Sequence, residues 1–165
     1  MSPGRVGPTK MKLFVCAALA AIALAAAPAD PVTWKLEGAP PKPVKAGARF
    51  TVKLVASVQA GWHLYSLKPM SEGPIPTRIW IAEGQPFSLA AAVQAPEPTT
   101  MQDPTLNMEV EFYEGETPFS LPVKVAAGTA AGSRSLTVSA SYQTCNDKLC
   151  LPPKTVRIQL PVAVE

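Results

Sequence analysis

From Val32 onward the chain alternates apolar and polar residues at period two, with almost no stretch at helical spacing. Val32-Thr33-Trp34-Lys35-Leu36 reads as a first edge strand, followed by Pro40-Pro41-Lys42-Pro43, which suits neither helix nor sheet interior. Phe50, Val52, Leu54, Ala56 and Val58 form the apolar side of a second strand, and Ala60-Gly61 turns it into Trp62-His63-Leu64-Tyr65-Ser66. Residues 67–76 are expected to be loop, residues 77–81 and 87–93 strands, and the proline-punctuated stretch up to about Asn107 a second long connection. Strands resume over Met108 to Tyr113 and, after Glu114-Gly115, along Phe119, Leu121, Val123 and Val125. The cleanest alternation sets Leu136, Val138, Ala140 and Tyr142 against Ser135, Thr137, Ser139 and Ser141; Val156, Ile158, Leu160 and Val162 repeat it near the end. Eight or nine short strands at this spacing predict an all-β antiparallel sandwich.

The first 29 residues change how composition is read. Arg5, Lys10 and Lys12 precede an apolar run from Leu13 to Ala27, with small residues at Ala25-Ala26-Ala27 and Ala27-Pro28-Ala29. This order predicts a cleaved secretory signal over residues 1–29, with Met11 as an alternative start. The run is short and Ala-rich against the roughly 20 apolar residues of a membrane span, so no span is expected in the mature chain. Cys16 follows Leu13-Phe14-Val15, not the small residues of a lipidation signal, and is expected to leave with the leader. The mature chain then carries 12 basic residues, the 15 of the whole sequence less those three, against 12 acids. Its zero net charge removes the argument for nucleic acid or anionic lipid as partner. Residues 30–165 suit one domain, expected to be exported and monomeric.

Export leaves two of three cysteines, Cys145 and Cys150, between the last two strong strands. A pair so close across a hairpin tip can bond without large backbone movement, and an exported chain is where a disulfide persists. The bland reading is a structural clip. Against it, so short a loop contributes only about 2 kcal/mol on the chain-entropy model, where a domain-spanning one contributes nearly 5. Lys148 would favour a thiolate and Asp147 oppose it, while Pro152-Pro153 stops the hairpin continuing as a ladder.

The string Tyr142-Gln143-Thr144-Cys145-Asn146-Asp147-Lys148-Leu149-Cys150-Leu151-Pro152-Pro153 closely resembles the active hairpin of the N-terminal periplasmic domain family of the thiol:disulfide interchange protein DsbD. Ala60-Gly61-Trp62-His63-Leu64-Tyr65-Ser66 is similar to that family's glycine–aromatic–Leu-Tyr segment. Phe112-Tyr113-Glu114-Gly115-Glu116 through Ser120-Leu121-Pro122-Val123 is similar to the strand pair before its cysteine strand. The resemblance covers essentially the whole mature chain. It implies an immunoglobulin-like domain that shuttles a dithiol between thioredoxin-fold partners in the periplasm, as in cytochrome c biogenesis, without a cofactor. Cys145 and Cys150 would carry the exchange, Cys150 linked to the partner and Cys145 resolving. His63, Tyr65 and Tyr142 would line the cysteine pocket. A cap loop would fall within Glu97 to Phe112, with Met101, Asp103, Glu111 or Phe112 as lid or acid group. This chain has one residue fewer between its cysteines than the best-known member, and no membrane-spanning or thioredoxin-like segment is expected to follow the domain. A separate membrane-embedded reductant is therefore expected.

Other classes have less support. The alternative function is a non-catalytic adaptor of the same fold with a structural disulfide. A copper or zinc site would have two cysteines and His63 but an unusual spacing and no fourth ligand. His63 as a proton shuttle competes with a histidine packed beside Trp62 and Tyr65. Trp34 and Trp80 read as core or rim aromatics, and Glu109, Glu111, Glu114 and Glu116 as a solvated face. No serine–histidine–acid set or phosphate-cradling loop is present.

Overall fold

A computed structural model describes Met1 and residues 29–70, 72–104 and 106–165. The expected signal segment, with Cys16, Met11 and the cleavage site, lies outside the described residues except at its ends. The chain order is β1 (Val32–Glu37), β2 (Arg49–Val58), β3 (His63–Tyr65), β4 (Arg78–Ile81), β5 (Phe87–Leu89) and β6 (Thr99–Asp103). There follow β7 (Met108–Tyr113), β8 (Glu116–Val125), β9 (Gly132–Tyr142), β10 (Thr144–Cys145) and β11 (Lys154–Val164). No helix occurs among the described residues, so none is long and apolar enough to cross a membrane.

The strands form three antiparallel sheets, ordered β1-β2-β8-β5, β11-β9-β4 and β10-β3-β7-β6. The first two enclose the main core. Val52, Leu54, Ala56 and Val58 of β2 and Phe119, Leu121, Val123 and Val125 of β8 meet Leu136, Val138, Ala140 and Tyr142 of β9. These are the apolar sets that the alternation picks out, so the expected immunoglobulin-like antiparallel sandwich is what the chain forms. Each buried aliphatic or aromatic side chain here is worth about 1.5–3 kcal/mol of transfer free energy. The first strand is fastened across the sandwich: Tyr142 donates its hydroxyl proton to Asp30 Oδ2 at 2.6 Å, and Lys154 Nζ lies 2.7 Å from the same oxygen. Burial pushes the Asp30 carboxyl up, but Lys154, the Tyr142 hydroxyl and the Val32 amide outweigh it and hold it below the ordinary 3.8.

Two expectations are corrected. The stretch up to Asn107 is not all connection, because Thr99–Asp103 is a strand paired with β7. Pro98 and Pro104 flank it without entering it, and an edge strand tolerates proline at its ends. The strand expected over residues 87–93 stops at Leu89. The chain bends there and returns to the sheet only through a bridge from Gln94 to Ser120.

Candidate functional site

The third sheet has two unlike faces, and parity explains them. Directly opposed residues of an antiparallel pair share a face, as do residues two apart along a strand. Leu64 opposes Tyr113, and both side chains join the main core. One residue to either side, the parity flips. Cys145 opposes His63, Tyr65 opposes Phe112, Met101 opposes Val110 and Asp103 opposes Met108. That outer face is a second, smaller apolar cluster. Tyr65, Val110, Phe112 and Cys145 are its buried members, with Met70, Met101, Leu106, Met108 and Cys150 packed against them.

The cystine is built by a change of partner. The β9–β11 ladder runs down to the pair Tyr142–Lys154 and then ends. Pro152 and Pro153, which lack amide donors, prevent the exit strand from extending it. The freed β10 turns onto β3, and Cys145 and Cys150 face each other across an antiparallel bridge, Cα to Cα 4.0 Å, joined by the disulfide. Asn146 shapes the turn between them: its Oδ1 accepts from the Lys148 and Leu149 amides, each at 2.9 Å. Gln143 fastens the hairpin outside the ladder, accepting from the Ile75 amide at 3.0 Å and donating to the Leu151 carbonyl at 3.3 Å. Gly73, on the loop that carries Ile75, takes φ +128°, a conformation that L side chains rarely adopt.

Cys145 is fully buried, because pairing with β3 seats it in the second cluster, whereas Cys150 is only partly buried. The two cysteines are therefore unequal in burial.

Asp103 is the polar centre of this face. It is fully buried, and its Oδ2 accepts from the Tyr65 hydroxyl at 2.8 Å and lies 3.3 Å from His63 Nε2. Its Oδ1 accepts from the Leu106 amide at 3.0 Å and its carbonyl from the Asn107 amide at 2.8 Å. One side chain thus holds the β6–β7 turn and ties it to β3. Asn107 takes φ 54° there, a left-handed conformation that asparagine tolerates. Tyr65 Oη lies 4.0 Å from Cys150 Sγ. Burial, reinforced by the bond to Asp103, pushes the Tyr65 phenol far above its ordinary value of 10. It therefore stands beside the cystine as a neutral hydroxyl. The His63 ring packs edge-on against Tyr65 and Phe112, with centroids 5.3 Å from each.

Of the residues singled out from sequence, Cys145, Cys150, His63, Tyr65, Met101, Asp103 and Phe112 come together on this face. Two do not. Glu111 has the opposite parity on β7, bonding Lys68 Nζ at 2.7 Å and Ser66 Oγ at 3.3 Å. The bond from Lys68 holds its carboxyl below the usual value, and the pair borders a separate cavity of about 120 Å³ lined also by Met70, Thr100 and Val110. Tyr142 lies in the main core against Trp34, 5.2 Å between ring centroids. Residue 142 precedes the break in the ladder, so its side chain still faces the sandwich. Sequence reasoning missed Met70, Leu106, Met108 and Val110; for the last two the signal was available in the parity of β7, where they fall on one side with Phe112, whereas Met70 and Leu106 lie outside the strands. Among the described residues no three His, Cys, Asp or Glu side chains converge as a metal site.

Comparison with known proteins adds a family. The family described as thiol:disulfide interchange protein DsbD, N-terminal, matches residues 35–161, well over half of the chain. No curated protein matches. The reduced N-terminal domain of DsbD from Neisseria meningitidis is similar in structure at a TM-score of 0.48 and 14% identity, covering 73% of this chain and 86% of that one. The N-terminal periplasmic domain of ScsB from Proteus mirabilis has the same TM-score and identity, covering 78% of this chain but 44% of its own.

Proposed function

The chain belongs to the family of the N-terminal domain of the thiol:disulfide interchange protein DsbD, and on that premise we propose that it exchanges its Cys145–Cys150 disulfide with thioredoxin-fold proteins in the periplasm. The observation that carries this reading is the unequal burial of the two cysteines: Cys145 is fully buried in the second cluster, whereas Cys150, packed against the same cluster, is only partly buried. A partner's thiolate attacks Cys150 Sγ along the sulfur–sulfur axis, the disulfide breaks, and Cys145 leaves as a thiolate that takes up a proton. The partner's second thiolate then attacks its own sulfur in the mixed disulfide and releases Cys150. Two electrons and two protons have passed to this chain, the partner is oxidised, and the reverse sequence passes them on.

The surroundings suit that chemistry. Tyr65, held neutral, is a hydroxyl rather than an anion beside Cys150, so it does not repel an incoming thiolate. The β6–β7 hairpin, fixed by Asp103, brings Met101 and Phe112 into the cluster that holds the cystine, which suits the role of a cap. No cofactor is needed, since the two sulfurs hold both electrons. Residues 1–29 act as an export signal, and a membrane-embedded reductant supplies the reducing equivalents.

Trapping tests the order of events. Cys145→Ser leaves Cys150 to displace thionitrobenzoate from a thioredoxin-fold protein whose single remaining cysteine carries that group, giving a stable mixed disulfide seen as a band that thiols release. Cys150→Ser, with only the buried sulfur left, traps little. Failure of both variants to trap would leave the cystine as a structural clip in a binding module.

A further inference from the structure

Beyond the terminal methionine, three large apolar side chains are exposed among the described residues: Leu149 at 46%, Ile75 at 42% and Trp80 at 37%. Two of the three belong to the cystine hairpin and the loop strapped to it. Leu149 immediately precedes Cys150, and its amide is held by Asn146 Oδ1, so the side chain is presented by a fixed turn. Ile75 stands on the loop whose amide is held by Gln143, the residue that also grips the hairpin exit at Leu151. Leaving two aliphatic side chains in water beside a rigid tip forgoes their transfer free energy unless something covers them.

Covalent geometry supplies the occupant. A protein joined to Cys150 through a mixed disulfide must press its own surface on the atoms around that sulfur, because the Cα atoms of a disulfide lie within about 7 Å of each other. We infer that Leu149 and Ile75 form the apolar docking surface on which a thioredoxin-fold dithiol protein, its reactive cysteine set in an uncharged surface, seats while it attacks Cys150. This rests on the exchange function proposed above and names the side chains that choose the partner. Pre-positioned aliphatic anchors contribute at low ordering cost, which is how a few residues dominate a small transient interface.

The test compares two reductants of the same cystine. Reduced thioredoxin must dock, whereas dithiothreitol is too small to need the surface. Rates of reduction are measured for the wild type, Leu149→Asp, Leu149→Ala, Ile75→Asp and, as a control, Trp80→Asp on β4, where Trp80 pairs with Ser139 away from the hairpin. The two aspartate variants at the hairpin are expected to slow thioredoxin about tenfold or more, with Leu149→Ala intermediate, while dithiothreitol rates stay within about twofold. Trp80→Asp should change neither rate. Unchanged thioredoxin rates in Leu149→Asp and Ile75→Asp would overturn the inference, as would a parallel fall with dithiothreitol, which would mean the residues act on the cystine itself. A wild-type cystine reduced no faster by thioredoxin than by dithiothreitol at equal concentration would overturn the exchange function, and the docking surface with it.

Discussion

The main core and the second cluster are built by the same alternation, yet they differ in kind. The side chains that meet between β2, β8 and β9 are mostly aliphatic and aromatic, with Tyr142 and Thr117 as buried polar members. On the outer face of the third sheet, a buried acid, a histidine, a phenol, methionines and a disulfide share a smaller space. A hydrocarbon core gains stability by excluding water and offers nothing to react. The second cluster includes groups that are costly to bury unless each finds a partner, and Asp103 supplies that partner for Tyr65, His63 and the β6–β7 turn together. Stability resides mainly between the first two sheets, and the groups able to react lie on the back of the third.

Substitutions can break that division. The largest expected effect is on exchange: Cys150→Ser should abolish reaction with any dithiol protein while lowering unfolding free energy by only about 2 kcal/mol, as a loop this short implies. Phe119→Ala should do the reverse. Fully buried against Trp34 and Tyr113, it should cost about 3–5 kcal/mol in denaturant unfolding, with the cystine's rate toward a small thiol unchanged in the protein that remains folded. Equal loss of stability from both substitutions would erase the distinction.

Asp103 lies between these extremes. Asp103→Ala leaves the buried Tyr65 hydroxyl without its acceptor and should cost about 1–3 kcal/mol. Asp103→Asn keeps the shape and removes the charge, so the Tyr65 phenol should titrate lower than in the wild type, still above 10 because burial remains. Ultraviolet titration of the phenolate reads this directly. The same groups set the alkaline limit. Tyr65 and Tyr142, both raised by burial and then by their carboxylate partners, hold their protons in the fold after the unfolded chain has lost them. Stability from this source is therefore complete below about pH 10 and falls as pH rises. Asp30 works in the opposite sense: its lowered carboxyl stabilises the fold above the ordinary 3.8, and that contribution is lost as pH falls. The smallest effect is expected of Glu111→Gln, which should leave both the unfolding midpoint and the exchange rate unchanged, because the Lys68–Glu111 pair is exposed and faces away from the cystine.

The sandwich was legible because each long strand keeps one parity over many residues. Val52 to Val58, Phe119 to Val125 and Leu136 to Tyr142 declare their buried faces without reference to any partner. The cysteine pair and its unusual hairpin were legible from spacing and from the prolines. The companions of the pair were harder to read. Thr99-Thr100-Met101-Gln102-Asp103 shows no apolar alternation, and its inward face appears only once β7 is set beside it, placing Met101 by Val110 and Asp103 by Met108. Four candidates for the acid or lid could not be separated in sequence, but parity places Met101, Asp103 and Phe112 with the cystine and Glu111 away from it. Tyr142, which the resemblance puts in the pocket, lies in the main core although it is only three residues from Cys145. The change of partner between residues 142 and 144 is a tertiary event that adjacency does not reveal.

The most direct test of the account is the reduction potential of the Cys145–Cys150 pair, measured by alkylation after equilibration in thiol buffers. A pair that exchanges with thioredoxin-fold proteins should lie between about −120 and −270 mV. A potential well below about −300 mV would mark a structural cystine and contradict the division of the molecule into a supporting core and a reactive face.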